Sequence, residues 1–361
     1  MKSSVLVLPK YPRKGASSRL RTYQYLPFLE KLGWNFTVRA LFDEEYLDSL
    51  YNGKGRSRLK MSFLYLYRLM VLCKFKRFDF IWLEKELFPY MPAWIEVLLK
   101  LFGVKYIVDY DDAIFHNYDL SSNRFIRRLL GNKIDVVMRH AYCVIAGNEY
   151  LAERAKLAGA KRVLVIPTVV DHHRYIPRKE TSSGPLTLGW IGSPTTQKYL
   201  EILLPVFQSL TRQYQFRLLL VGATPEIKAK LAGITVHIEN WSEDTEARHI
   251  QEMDVGIMPL QDGPWEKGKC GYKIIQYMAS GVPVVASAVG VNTAIVSGSN
   301  SGMLANDFSE WESALAALFS EPRHRHQLGM SGRLAVERKY SIDSQLPRLQ
   351  SCFLPGLATN E

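Results

Sequence analysis

The chain of 361 residues has little cysteine, and its four thiols, Cys73, Cys143, Cys270 and Cys352, share no short spacing. That excludes a zinc site built on paired cysteines and a disulfide framework, and it fits a reducing cytoplasm. No run of about 20 apolar residues occurs, so no segment is expected to span a bilayer. The start, MKSSVLVLPKYPRKG, has only four consecutive apolar residues before Pro9, too few for the core of a secretory leader. Acid is short relative to base, but only in one half. The net charge is +11; residues 1–178 hold 30 Lys and Arg against 17 Asp and Glu, and the remainder holds 16 against 18. A positive field confined to one half points to an anionic partner such as nucleic acid, an acidic membrane surface or a phosphorylated substrate. No nucleic-acid recognition motif accompanies it.

What is present is a rhythm. Apolar runs SVLVL at 4–8, FDFIWLE at 78–84, KYIVDY at 105–110, YCVIAG at 142–147 and RVLVIP at 162–167 alternate with helical patterns. After the polar TSSGP at 181–185 the alternation restarts with LTLGWIG, FRLLLVG, VHIENW, DVGIMPL and VPVVAS. Short β-branched runs separated by helices read as buried parallel strands in βαβ units. The expected fold is α/β: two successive Rossmann-like domains with a seam near 177–185, large enough together for two cores. Ligands of such sheets bind at the carboxyl ends of the strands, so the expected site is a cleft between the domains.

One stretch departs from this pattern. Met61 to Cys73 is a nearly apolar segment of 13 residues, broken by Ser62 and Arg68 and flanked by basic residues. As a helix it reaches only ~20 Å, short of a hydrocarbon core. PAWIEVLLKLF at 92–102 is a second apolar helix with a lysine in it. Both are read as packed on the first sheet by their inner faces, with the outer faces as candidates for an anionic membrane surface.

Two constellations carry chemistry. In WEKGKCGYKIIQYMASGVPVVAS, residues 265–287, Gly271 stands where a helix from Tyr272 can begin. A helix start offers free N–H groups and a positive dipole end, a receptor for a diphosphate, and Lys269 and Lys273 add point charges there. The plainer alternative is a solvated lysine pair. In VDYDDAIFHN, Asp109, Asp111 and Asp112 crowd the end of a strand; Asp111 and Asp112 are the functional candidates, Asp109 a cap or pairing residue, and His116 a neighbour close enough to assist. In the first loop, PKYPRKGASSR, Gly15 and small residues let a ligand approach the backbone, and Lys14 and Arg19 are candidates for an acceptor phosphate. His172 and His173 show no metal spacing with other histidines or acids and are read as linker residues; no metal site is expected.

The run KIIQYMASGVPVVAS, preceded by DVGIMPL and followed by VGVN, resembles the signature of family 4 glycosyltransferases of group 1 type, retaining enzymes with the two-Rossmann GT-B fold. KGASSRLRTYQYLPFLEKLGWNFTV, RVLVIPTVVDHHRYIP, LTLGWIGSP and VERKYS resemble its first loop, linker, second-domain loop and final turn, in that order. The resemblance implies an acceptor-binding domain at 1–178, a nucleotide-sugar domain at 179–339 and a crossover helix and tail at 340–361 returning to the first domain. It implies that Asn240 and Trp241 lie near the nucleobase, and that Tyr272 belongs to the donor site. In the family two glutamates follow Glu-x7-Glu, the second holding the ribose. Here those positions are Gly268 and Gln276, and Glu266 is the candidate substitute. An arginine and a lysine of the family correspond to Ser193 and Lys198.

The implied reaction needs no protein nucleophile, cofactor or metal: a UDP- or GDP-linked sugar loses its nucleotide as an acceptor hydroxyl attacks the same face. The expected partners are a nucleotide sugar, a glycan or polyprenyl-linked acceptor and an anionic membrane surface, not nucleic acid. The expected setting is the cytoplasm, at the inner face of the membrane, in bacterial surface polysaccharide synthesis. Two other readings stand beside it: a nucleotide-sugar epimerase of the same fold, and a glycosyltransferase-like binding subunit without activity.

Overall fold

Runs such as Val5–Leu8 and Tyr106–Val108 are apolar on both sides of the pleat, and both are buried on both sides. That burial requires helices on each face of a sheet and therefore parallel strands joined by crossovers. A computed structural model describes residues 3–51, 57–177 and 184–354. Most of the seam anticipated at 177–185 lies outside them. The described chain divides into two compact units. The first comprises Met1–Thr168, Gly268–Cys270 and Gln345–Glu361; the second comprises Val169–Lys267 and Gly271–Ser344.

The first unit holds strands β1 (Ser4–Leu8), β2 (Asn35–Val38), β3 (Phe80–Glu84), β4 (Tyr106–Tyr110), β5 (Cys143–Ala146) and β6 (Val163–Val165), ordered β2-β1-β3-β4-β5-β6. All their pairings are parallel. The helices that matter below are α1 (Arg58–Leu72), α2 (Trp94–Leu101), α3 (Arg124–Leu130) and α4 (Lys133–His140). The second unit holds β7 (Leu186–Ile191), β8 (Phe216–Val221), β9 (Thr235–Glu239), β10 (Val255–Met258), β11 (Val284–Ser287) and β12 (Gly302–Ala305), ordered β12-β11-β10-β7-β8-β9 and again all parallel. Two apolar clusters cover its sheet, one around Trp190, Phe207 and Trp311 and one around Ile274, Tyr277 and Val336. Helix α5 (Tyr272–Ala279) lies in the second cluster, and α6 (Ile342–Ser351) leads into the tail that belongs to the first unit. There Phe353 packs against Trp34, Phe80 and Trp82 with ring centroids 5.2, 5.9 and 5.6 Å away.

Each strand order reverses once, between β1 and β3 in the first sheet and between β7 and β10 in the second. Connections leave such a point in opposite directions and open a crevice at the carboxyl ends of those strands. The segment holding Lys269 and Lys273 follows β10, at one of these carboxyl ends, and the acid pair Asp111 and Asp112 follows β4, the neighbour of β3.

Candidate functional site

In the first unit a network of charges ties three strand ends together. The Glu84 carboxylate, at the end of β3, accepts hydrogen bonds from the Lys10 backbone N–H at 2.8 Å, from Ser17 Oγ at 2.9 Å and from Ser18 Oγ. It thereby fastens the loop after β1, where Gly15 is buried against Tyr11 so tightly that a Cβ would stand 2.5 Å from the Tyr11 Cβ. The next residue, Lys85, has a left-handed backbone with φ 65°, a conformation that β-carbons disfavour. That turn aims its ammonium inward, 2.8 Å from Asp111 and 3.9 Å from Asp112. Ser17 Oγ also donates to Asp111 at 2.6 Å.

The two aspartates of the pair therefore differ. Burial by itself raises Asp111, but Lys85 and the Ser17 hydroxyl outweigh it and hold the carboxyl below the ordinary range. Asp112 is pushed up to about 6, first by burial and then by the Asp111 charge, against the pull of Lys85 and Lys269. A fixed carboxylate beside one that titrates near neutrality suits the binding of sugar hydroxyls and the handling of a proton.

Asp109 stands apart. It forms a buried ion pair with Arg21 Nε at 2.8 Å, and Arg21 also donates to the Ile166 carbonyl, so this residue is a structural clamp. His116 has both ring nitrogens engaged, with Asp119 and with the Tyr150 hydroxyl, each at 2.8 Å. It belongs to a local bracket, not to the carboxylate pair. Lys14 pairs with Asp48, and Arg19 is buried.

In the second unit the left-handed Gly271, φ 65°, caps the N-terminus of α5. In the first turn, Lys273 lays its ammonium 4.5 Å from the centre of the Trp190 ring and 3.4 Å from Thr196 Oγ1. Thr196 in turn accepts from the Ser193 backbone N–H at 3.2 Å. Lys273 and the Ser193 loop thus meet at the end of β7, beside the point where strand order reverses. A side chain at Gly192 would stand 2.7 Å from the Lys273 Nζ, so the glycine keeps that approach open. Lys198 is exposed over the Tyr199 ring, and Asn240 is exposed as well. Glu266 accepts from the Tyr199 hydroxyl at 2.5 Å.

Gln276 is buried and donates from Nε2 to the Tyr175 hydroxyl at 3.1 Å; Tyr272 bonds the same hydroxyl. Tyr175 donates on to Glu246, which also accepts the Trp241 indole N–H at 2.9 Å. Tyr272, Gln276 and Trp241, three expected donor-site residues, are brought together by this buried network. Its centre, Glu246, is a carboxylate that nothing in its helical sequence context marked.

Lys269 and Lys273 are four apart in sequence. Gly271 breaks the chain between them into a left-handed turn, and Gly268–Cys270 is counted with the first unit. There Asn148 donates to the carbonyls of Gly268 and Lys269 at 3.0 and 2.9 Å, and the Lys269 charge acts on Asp112. A Cβ on Gly268 would lie 2.4 Å from the Ala113 Cβ and 2.6 Å from its backbone nitrogen. A glutamate cannot stand at that position without moving backbone.

His172 and His173, read as linker residues, meet Asp343, a residue no spacing argument could reach: the His173 Nε2 lies 3.3 Å from its carboxylate. One ligand atom from each of the three residues falls within 4.8 Å of the others, on an exposed surface.

Residues 185–321 match the family model described as glycosyl transferases group 1, which makes this stretch a transferase domain. It contains Lys273, Gln276, Glu246 and the Ser193 loop. No curated protein matches the chain in sequence. Among solved structures, the sucrose-phosphate synthase of Thermosynechococcus elongatus superposes with a TM-score of 0.72 at 15% identity, covering 97% of this chain and 98% of that one. Anabaena HepE in complex with UDP-glucose gives 0.71 at 15%, covering 97% and 100%. WaaG, a glycosyltransferase involved in lipopolysaccharide biosynthesis, gives 0.68 at 14%, covering 98% and 100%. At such identities the likeness is one of fold, and that fold is the GT-B arrangement of two Rossmann-like domains.

Proposed function

We propose that the chain is a retaining glycosyltransferase of the family 4 kind, taking a UDP- or GDP-linked sugar and passing it to a glycan or polyprenyl-linked acceptor in surface polysaccharide synthesis. The observation that carries this reading is the placement of Lys273 between Trp190 and the β7 loop, beside the glycine-capped start of α5, within the matched stretch. An ammonium fixed at the positive end of a helix dipole stabilises the charge that develops on a departing diphosphate. The UDP-glucose bound by HepE and the lipopolysaccharide role of WaaG support the donor class and the setting. Asp111, held ionised by Lys85, fixes sugar or acceptor hydroxyls, and Asp112 handles the proton released by the attacking hydroxyl. The Gln276–Tyr175–Glu246 network sets the donor-side surface without a charged ribose ligand.

The test pairs binding with turnover. A thermal-shift screen against UDP, GDP and their sugars is expected to find one stabilising series, and nucleotide release should follow only when an acceptor is added. Lys273→Ala is expected to weaken donor affinity tenfold or more, a loss of about 1.5–3 kcal/mol typical of a charge-assisted hydrogen bond, with the melting temperature of the free protein little changed. An unchanged affinity would move the diphosphate elsewhere. Nucleotide binding with no release for any acceptor would favour the inactive binding subunit, the reading to which Gly268 and the buried Gln276 lend weight. A sugar altered by the protein with donor alone would instead identify an epimerase.

A further inference from the structure

Helix α1 inverts the ordinary pattern of a surface helix. Its one internal arginine, Arg68, points inward and is buried, donating to the carbonyls of Pro9 and Arg39 at 3.1 and 3.2 Å. Met61, Leu64 and Tyr65 accompany it against Leu41, Phe42 and Tyr46. The opposite face carries Leu59, Phe63, Leu66, Tyr67 and Met70, all exposed, at the i, i+4, i+7, i+8, i+11 spacing of one helical stripe. Helix α2 repeats the arrangement with Trp94 (69% exposed), Leu98, Leu101 (75%) and Phe102. Helix α3 exposes Phe125 (79%) and Leu129 beside Arg124 and Arg128.

These faces are continuous. Phe75, just past α1, stacks on Phe102 at 6.0 Å, and Tyr65 reaches back to donate to the Pro89 carbonyl, ahead of α2. Between α2, α3 and α4 lies a hollow of ≈ 260 Å³ lined in part by Trp94, Val97, Arg127, Arg128 and Asn132. The charge carried by these helices and the residues flanking them is basic, with Lys60 of α1 paired to Asp43 and Glu45. Residues 56–77 contain no Asp or Glu, α3 contains none, and the single acid of α2, Glu96, is buried. Lys74, Lys76, Arg77, Lys100, Arg124, Arg127 and Arg128 are exposed along its margin.

A stripe that exposes its apolar side chains while burying its arginine costs free energy in water, and contiguous apolar patches of this extent mark interaction surfaces. An aromatic and aliphatic floor with a rim of Lys and Arg matches the boundary of an anionic bilayer: ring and acyl contacts below, and about 1 kcal/mol per basic residue near the headgroups. A protein partner would need an acidic rim to complement this one. We infer that the outer faces of α1, α2 and α3 seat the first unit on an anionic lipid bilayer, with a lipid phosphate entering the hollow beside Arg127 and Arg128. No helix among the described residues is long and apolar enough to cross a membrane, so this contact lies in the interfacial plane. The inference does not rest on sugar transfer.

The test uses the full chain and vesicles without donor. Co-sedimentation with phosphatidylcholine vesicles containing phosphatidylglycerol is expected at low salt, falling at least tenfold by 0.3 M salt and weak on phosphatidylcholine alone. Phe63→Ser combined with Phe125→Ser should abolish binding while leaving the melting temperature and the nucleotide-induced shift unchanged, since both residues are exposed and remote from the clusters described above. Arg127→Glu with Arg128→Glu should remove the preference for the anionic lipid. Brominated acyl chains should quench more fluorescence in the wild type than in Trp94→Phe. Failure to bind anionic vesicles at low salt, or binding untouched by the serine pair, overturns the inference. So does a stable dimer in solution that the serine pair converts to monomer, because the face would then cover a second copy.

Discussion

Asp109 and Asp112 sit three residues apart on one strand end and show how partners decide the role of a carboxylate. Both stand at about 6 instead of the ordinary 3.8: burial is the largest cause for each, opposed in Asp109 by Arg21 and reinforced in Asp112 by the Asp111 charge. A carboxylate raised on folding contributes stability that is complete below the unfolded value and is lost as pH rises through the folded one. Replacing Asp112 by Asn removes that loss, so the variant should gain stability relative to the wild type as pH rises from about 4 through 6 to 7.5. Urea midpoints at fixed ionic strength check this, and a difference that does not change with pH excludes Asp112 as the titrating group. Asp109→Asn should behave in the opposite way at neutral pH, losing about 3–5 kcal/mol because it leaves the buried Arg21 without its counter-charge. The pair Asp111 and Asp112 was legible in the sequence because adjacent acids at a strand end are costly without a purpose. Lys85 and Glu84 were not, since LEKEL reads as a solvated alternation. The left-handed backbone at Lys85 alone turns that ammonium onto the acids.

Among the elements, α5 and its cap were the most legible, from glycine, helical period and following strand. Gly271 has a physical duty there: its left-handed φ suits glycine, and a Cβ would stand 2.5 Å from Ile295 Cδ1. Gly271→Ala is expected to cost about 1–2 kcal/mol from the backbone and to displace the head of the helix. The expected result is a lower urea midpoint together with a smaller nucleotide-induced thermal shift; a loss of stability with the nucleotide shift intact would detach the helix start from the donor site. Ten strands follow the apolar runs seen in the sequence, and β2 and β12 do not. Both are edge strands, only partly buried, and an edge is paired on one side and so needs less apolar patterning. For α1 the sequence indicates a helix of suitable length and a choice of faces; which face is inner was settled by the carbonyls of Pro9 and Arg39, which capture Arg68.

The last residues of the described chain complete the core of a unit that begins some three hundred positions earlier. Phe353 is buried among Trp34, Phe80 and Trp82, so its ring is part of the first unit's interior. Phe353→Ala is expected to cost about 3–5 kcal/mol, and amide hydrogen exchange should show lost protection in β1 to β6 with β7 to β12 retained. Equal loss in both sheets would mean that the tail is not particular to the first. The sequence by itself determined the two parallel sheets, the strand ends that bear acids and lysines, and the concentration of positive charge in the first half, because burial, helical period and formal charge are local properties written residue by residue. The tertiary structure alone decided which groups meet: Lys85 with Asp111, Glu246 with Tyr175, and Asp343 with His173. Those pairings join residues tens to hundreds of positions apart, or turn on a single backbone dihedral, and no periodicity carries either.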